Sequence, residues 1–268
     1  MPWVQRVKGG PWVQRIQRAR RQLLLAALAM CIVVGSGLLY YTQVLRPAQL
    51  RALATAAVDA TATGWAYATA TRQAITPQMI YQQATHGTPM LNDALSSQES
   101  SYWRALQRAN GSCAFADGTY HVLTPRKNSF FFCAAWPVFN NFAYQVQMTI
   151  VKGDGGGIVF RANPVASTCY LFTVSQDGHY TLNLFVNTNP DHIQSLTGND
   201  SPLIHSGLHQ SNLLTVIVRG GSIYLYINTQ YIATVSDDTF TIGSVGVAAV
   251  DYSHPTEVTF SHAQVWSL

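Results

Sequence analysis

From about Met90 to the C-terminus the sequence is a succession of short runs in which apolar residues alternate with small or polar ones, and no other feature constrains the fold as tightly. Phe142 to Ile150, FAYQVQMTI, is one example. Successive side chains of a strand point to opposite faces, so such a run buries one face and leaves the other for solvent or a second layer. Comparable runs are Thr119 to Leu123, Gly157 to Ala162, Tyr170 to Val174, Tyr180 to Val186, Leu213 to Arg219, Ser222 to Ile227, Tyr231 to Val235, Val245 to Val250, Glu257 to Ser261 and Gln264 to Leu268. Turn-forming pairs separate many of them: Asp117-Gly118, Asp177-Gly178, Gly220-Gly221 and Asn228-Thr229. About a dozen closely spaced strands with no long helix between them predict an all-β, antiparallel β-sandwich or jelly roll.

A second feature divides the chain. Leu23 to Tyr41, LLLAALAMCIVVGSGLLYY, carries no charge and approaches the roughly 20 residues that cross a hydrocarbon core as a helix. Six basic residues, Arg6, Lys8, Arg15, Arg18, Arg20 and Arg21, precede it without an acidic one, so the positive-inside rule puts the N-terminus in the cytoplasm and the rest outside. A cleaved signal peptide and a lipoprotein signal ending at Cys31 are the competing readings of the same segment. The expected organisation is a basic cytoplasmic tail over 1–22, a transmembrane helix over 23–41, a partly helical Ala/Thr/Gln-rich stalk over 42–88 and the sandwich over 89–268. Membrane lipid is thus one partner, through 23–41. Trp3 and Trp12, in the repeated Pro-Trp-Val-Gln-Arg of the tail, suit an interfacial segment or an unstructured stub.

The formal charge of +4 is carried by that tail: without its six cations, ten basic residues face twelve acidic ones. No basic stripe remains on the outer part, and nucleic acid is excluded as its partner. The glycine-rich stretch Lys152 to Arg161, KGDGGGIVFR, lies between two strand-like runs, with no following helix and no Lys-Ser/Thr pair after its last glycine. A P-loop needs both, so no nucleotide is expected and the glycines serve a hairpin.

Catalytic signatures are sparse. No Glu-x-Asp or Asp-x-Glu pair puts two carboxylates on one strand face, and no Gly-x-Ser-x-Gly elbow occurs. His205 and His209 have the spacing of a helical metal pair, but Gly207 and Pro202 argue for a loop. Asp154 and Asp177 are the candidate donors for a calcium ion at a sandwich edge, the one cofactor the sequence raises. The suggestive residues are aromatic. If Ile223, Leu225 and Ile227 face the core, Tyr224 and Tyr226 face away, and Asn183 and Phe185 oppose Leu182 and Leu184 in the same manner. Flat rings with an amide suit stacking on sugars and bonding their hydroxyls; ordinary packing under a covering segment is the competing reading. Arg161 joins them as a rim residue. Cys113 and Cys133, on the oxidising side, form the expected disulfide, and Cys169 reads as a buried apolar residue.

The order Cys113-Ala-Phe, Gly118-Thr-Tyr-His-Val122, Phe142-Ala-Tyr-Gln-Val146, Gly156-Gly-Ile-Val-Phe-Arg161, Tyr170-Leu-Phe, Gln176-Asp-Gly178, Asn212-Leu-Leu-Thr-Val216 and Gly243-Ser-Val-Gly-Val247 resembles the concanavalin A-like lectin/glucanase superfamily. More narrowly it resembles the 3-keto-disaccharide hydrolase-type, family 16 glycoside hydrolase-like branch. The resemblance spans about Leu91 to Leu268 and implies a jelly roll displayed outside a bacterial membrane. Similar domains often carry a second cysteine pair, at positions corresponding to Gly155 and Ser175 in this chain. The glucanase Glu-x-Asp-x-x-Glu strand is also missing. The expected function is therefore a membrane-anchored module that binds carbohydrate or another cell-envelope ligand without catalysis. The alternatives are a glycoside-processing hydrolase with loop-borne carboxylates and a structural or adhesive surface protein.

Overall fold

The structure is a computed structural model, and it describes residues 11–56, 58, 75–98, 102–187 and 193–268. The chain forms two compact units, Met1–Ala74 and Ile75–Leu268. In the first, a helix α1 (Pro11–Tyr40) runs into a π-helical stretch, Tyr41–Leu45, and helix continues to residue 56. Among the described residues it is the one helix long and apolar enough to cross a membrane, and its apolar window is entirely exposed. Nineteen residues at about 1.5 Å each span about 29 Å, close to a hydrocarbon core of about 30 Å. The tail residues 1–10 and the middle of the expected stalk, 59–74, lie outside the described residues.

The second unit is the expected sandwich. Its strands are β1 (Leu91–Asp93), β2 (Leu106–Arg108), β3 (Gly111–Ala116), β4 (Thr119–Thr124), β5 (Ser129–Phe139), β6 (Phe142–Lys152), β7 (Gly155–Asn163) and β8 (Thr168–Ser175). There follow β9 (His179–Phe185), β10 (Ile193–Asp200), β11 (Ser211–Arg219), β12 (Ser222–Ile227), β13 (Gln230–Ser236), β14 (Gly243–Asp251) and β15 (Thr256–Ser267). Among the described residues they form a nine-stranded sheet, β13-β12-β11-β6-β15-β4-β3-β2 with β1 added on β15, and a six-stranded sheet, β10-β9-β8-β7-β14-β5. All pairings are antiparallel. The alternation of β6 is realised as read: Tyr144, Val146, Met148 and Ile150 are buried in the core opposite Phe160, Phe172 and Leu182 of the other sheet. Cys113 and Cys133 are disulfide-bonded and tie β3 of one sheet to β5 of the other. Cys169 is buried, which pushes its thiol up to about 12.

The glycine stretch is the β6–β7 connection, and it corrects the expected hairpin: β6 and β7 do not pair, and the chain crosses there from the nine-stranded to the six-stranded sheet. Gly153 adopts φ +88°, and a Cβ on Gly157 would overlap the Phe172 carbonyl of β8, so the glycines permit reversal and close strand approach.

One boundary differs from the sequence reading. A second helix, α2 (Pro77–Ala84), falls inside the segment assigned to the stalk but belongs to the sandwich unit. Thr76 caps it, its side chain accepting from Met79 N at 3.3 Å, with proline at the first turn. Ile80 and Ala84 pack on Ala143, Ile217, Tyr226 and Trp266, the outer face of the nine-stranded sheet. An eight-residue helix is marginal alone in water, so this apolar cover is what holds it.

Candidate functional site

The five residues expected to contact a ligand are divided between opposite faces of the sandwich. Tyr224 and Tyr226, in β12, point outward from the nine-stranded sheet as expected, but α2 covers that face. Tyr226 is fully buried; its hydroxyl donates to the Pro77 carbonyl at 2.6 Å, and its ring lies 5.2 Å from that of Tyr81. Tyr224 is half-buried against the same cluster. This pair is therefore second-layer packing, and the expectation of an open tyrosine face is corrected: α2 had been read as stalk. Arg161 is corrected likewise. It is 1% exposed, with its guanidinium donating to the carbonyls of Phe240 (2.8 Å), Gly220 (2.8 Å) and Asn140 (3.2 Å). It clamps three loops at one end of the sandwich.

Asn183 and Phe185 lie on the outward face of the six-stranded sheet. Asn183 Nδ2 donates to Thr181 Oγ1 at 3.0 Å. Phe185 meets Phe130, with ring centroids 4.6 Å apart, and Phe130 stacks beside Phe132 at 6.0 Å. The first contact is informative, because β5 and β9 are four strand spacings apart, about 19 Å in a flat sheet. A twist of roughly 20–25° per strand lifts opposite corners of a sheet toward each other, and the phenyl rings meet above its face. Val159, Cys169, Leu171 and Ala248 are thereby buried on what would otherwise be the solvent side.

Along β5, the edge strand, this aromatic corner opens into a cleft of about 870 Å³. Its lining includes the aromatic residues Phe130, Phe132, Trp136 and Phe185 and the cations Arg104, Arg108, Arg126 and Lys127. Trp136 is 67% exposed, and the Arg104 guanidinium carbon lies 5.2 Å from its ring centroid. Apart from Phe185, these residues were absent from the sequence expectation. The signal was present: Ser129-Phe-Phe-Phe-Cys133 puts two phenylalanines on one strand face, and four cations fall between 104 and 127. Averaging the charge over the whole outer part hid them.

A smaller, polar cavity of about 300 Å³ holds both candidate calcium donors, Asp154 and Asp177, with Thr173, His179, Thr181 and Tyr252. Asp154 accepts from the backbone N–H groups of Tyr252 (2.8 Å), Ser253 (2.6 Å) and His254 (3.0 Å) and from His254 Nδ1 (2.9 Å). Burial pushes its carboxyl up, but these bonds outweigh burial and hold it below the usual range. Asp177 accepts from Ser175 Oγ, which also lowers its carboxyl. Carboxylates engaged in this way hold the β14–β15 loop and the β8–β9 turn. The arrangement does not fit a calcium ion, and among the described residues no group of three or more His, Cys, Asp or Glu side chains is placed to hold a metal. Nor do Ser253, His254 and Asp154 form a proton relay: the Ser253 hydroxyl and the Asp154 carboxylate meet the same imidazole nitrogen, Nδ1.

No protein-family model matches the chain, and no curated protein matches it in sequence. Solved structures do match in shape. The carbohydrate binding module CBM66 from Bacillus subtilis aligns at 18% identity with a TM-score of 0.51, over 62% of this chain and 95% of that one. A Bacillus subtilis protein with a galectin-like fold aligns at 13% identity with a TM-score of 0.53, over 68% of this chain and 97% of that one. At such identities the likeness is one of fold, and the sandwich of this protein has the concanavalin A-like jelly-roll fold.

Proposed function

We propose that this protein is a membrane-anchored, extracytoplasmic module that binds a carbohydrate of the cell envelope in the β5 cleft and does not transform it. The cleft carries the proposal. Its volume, about 870 Å³, lies within the roughly 300–1,000 Å³ typical of ligand sites, whereas the polar cavity of about 300 Å³ lies at the lower limit. Exposed and half-exposed aromatic rings in the cleft offer flat surfaces for the C–H faces of sugar rings. Glycoside hydrolysis needs two carboxyl groups flanking the scissile bond, and among the described residues no carboxylate lines this cleft. Carbohydrate binding by the Bacillus module of similar fold is in keeping with this use. The span 23–41 anchors the protein with its N-terminus in the cytoplasm, and the Cys113–Cys133 bond suits the oxidising side.

Full-length protein in detergent, applied to a glycan array, is expected to retain a restricted set of glycans without releasing products. Phe132→Ala and Phe185→Ala should each weaken retention about tenfold, in line with the roughly 1.5–3 kcal/mol of a buried aromatic contact. Tyr224→Ala should leave it unchanged. Turnover of a retained glycan, or loss on Tyr224→Ala alone, would refute the proposal.

A further inference from the structure

We infer that the glycan held in the β5 cleft is an acidic polysaccharide, with carboxylate or phosphate groups spaced along its chain. The inference rests on the reading of the cleft as a glycan site. It is carried by the distribution of charge. Between Ile75 and Leu268 the chain has seven Lys and Arg residues against eleven Asp and Glu, so the sandwich unit is acidic overall. Four of those seven cations, Arg104, Arg108, Arg126 and Lys127, nevertheless line this one cleft, and among the described residues no acidic one lines it with them. An acidic domain that gathers most of its cations in a single concavity creates a local field opposite to its own, which attracts anions there.

These cations are also available. All four are exposed. Among the described residues the ion pairs are His121–Glu257, His179–Asp200 and His254–Asp154, and none involves the cleft. Arg108 bonds only the neighbouring Gln107 carbonyl, and Arg104 rests over Trp136. The adjacent carboxyl group, Asp251, lies across from Ser129 in the β5–β14 register and is buried. A guanidinium presents a planar fork that matches a carboxylate or phosphate in two parallel bonds, whereas neutral sugar hydroxyls need no cation. The rings of Phe130, Phe132, Trp136 and Phe185 would take the sugar rings while the cations among them take their acidic substituents. Nucleic acid offers rings and phosphates too, but a sugar chain is favoured because Phe130, Phe132 and Phe185 pack against one another in one corner rather than standing as a row of separate platforms for successive bases.

Immobilised full-length protein in detergent would be titrated with polygalacturonate, a phosphomannan, neutral dextran and single-stranded DNA. Either acidic polymer should bind at least about tenfold more tightly than dextran, and which of the two is preferred identifies the anionic group. Raising salt from about 0.05 to 0.5 M should weaken that binding about tenfold or more, because the screening length falls from above 10 Å to a few ångströms. Arg126→Ala with Lys127→Ala should weaken it at least about tenfold, while Lys152→Ala with Arg219→Ala, which removes the same charge elsewhere, should have less than a twofold effect. Dextran bound as tightly as the acidic polymers, and lost in Phe132→Ala but not in Arg126→Ala/Lys127→Ala, would overturn the acidic ligand and leave the glycan site standing. Absence of binding by all three carbohydrates would overturn both. Equal or tighter binding of DNA would overturn the acidic-polysaccharide assignment in favour of a general attraction to polyanions.

Discussion

Arg161 shows how little residue type says about role in isolation. At the end of a strand-like run an arginine reads as a rim residue, and its φ of +45° could not be anticipated. That backbone conformation turns the side chain into the sandwich end, where it donates to three loop carbonyls. Arg161→Met should lower the melting temperature by about 5 °C or more, since a hydrogen bond to a charged group contributes about 1.5–3 kcal/mol and three are lost, and should leave ligand binding intact. A melt by circular dichroism checks it. Asp251 gives the opposite case. It is 1% exposed, and neither carboxylate oxygen has a hydrogen-bond partner among the described residues. Burial, reinforced by the charge of Asp154 and opposed by His254 and Lys127, raises its carboxyl above the usual range. A carboxyl raised by folding stabilises fully below its unfolded value of about 4, and that stability is lost as pH rises through the folded value. Asp251→Asn should therefore raise the melting temperature at pH 7 and lose the advantage as pH falls toward about 4. An unchanged difference between the two proteins across that range would contradict it.

At the scale of elements, the period-two runs were legible because burial of one face imposes alternation wherever a strand covers a core. Thr119 to Leu123, Phe142 to Ile150 and Ser222 to Ile227 all lie within strands, β4, β6 and β12. Helix α2 was not legible as part of the sandwich, since its eight residues carry only Ile80, Tyr81 and Ala84 toward the sheet and sit in an Ala/Thr/Gln-rich context. Pairing register is likewise a property of two strands together. In the β7–β8 pair Gly155 stands directly across from Ser175, the two positions where similar domains often carry cysteines. A Cβ built on Gly155 lies 3.6 Å from that of Ser175, within the range that a disulfide spans. Gly155→Cys with Ser175→Cys is expected to cross-link under oxidising conditions, visible as a mass loss of about 2 Da, and to stabilise the domain. The chain-entropy value for a loop of about 20 residues is about 3 kcal/mol, reduced by the 3.1 Å approach of the new Cβ to the Val174 carbonyl. Free thiols in that double variant would mean that the hairpin register differs.

For the whole molecule, the span and its flanking charge set the orientation proposed above: N-terminus inside, sandwich outside. Protease treatment of intact cells should remove a tag fused after Leu268 and spare one fused before Met1; the reverse pattern would overturn the orientation. The sequence by itself determined the segment that can cross a membrane, the all-β class, the Cys113–Cys133 bond and the structural use of the KGDGGGIVFR glycines. Each of these follows from composition or spacing within one stretch of chain, where hydrophobicity, alternation and backbone freedom act locally. Only the tertiary structure decided which aromatic face is open. Tyr224 and Tyr226 are equivalent by alternation to Phe130 and Phe132, but α2 covers the first pair, while sheet twist brings Phe130 to Phe185 and leaves a cleft beside them. Covering and curvature depend on residues distant in sequence meeting in space, and so does the gathering of four cations in one cleft of a domain that is acidic overall.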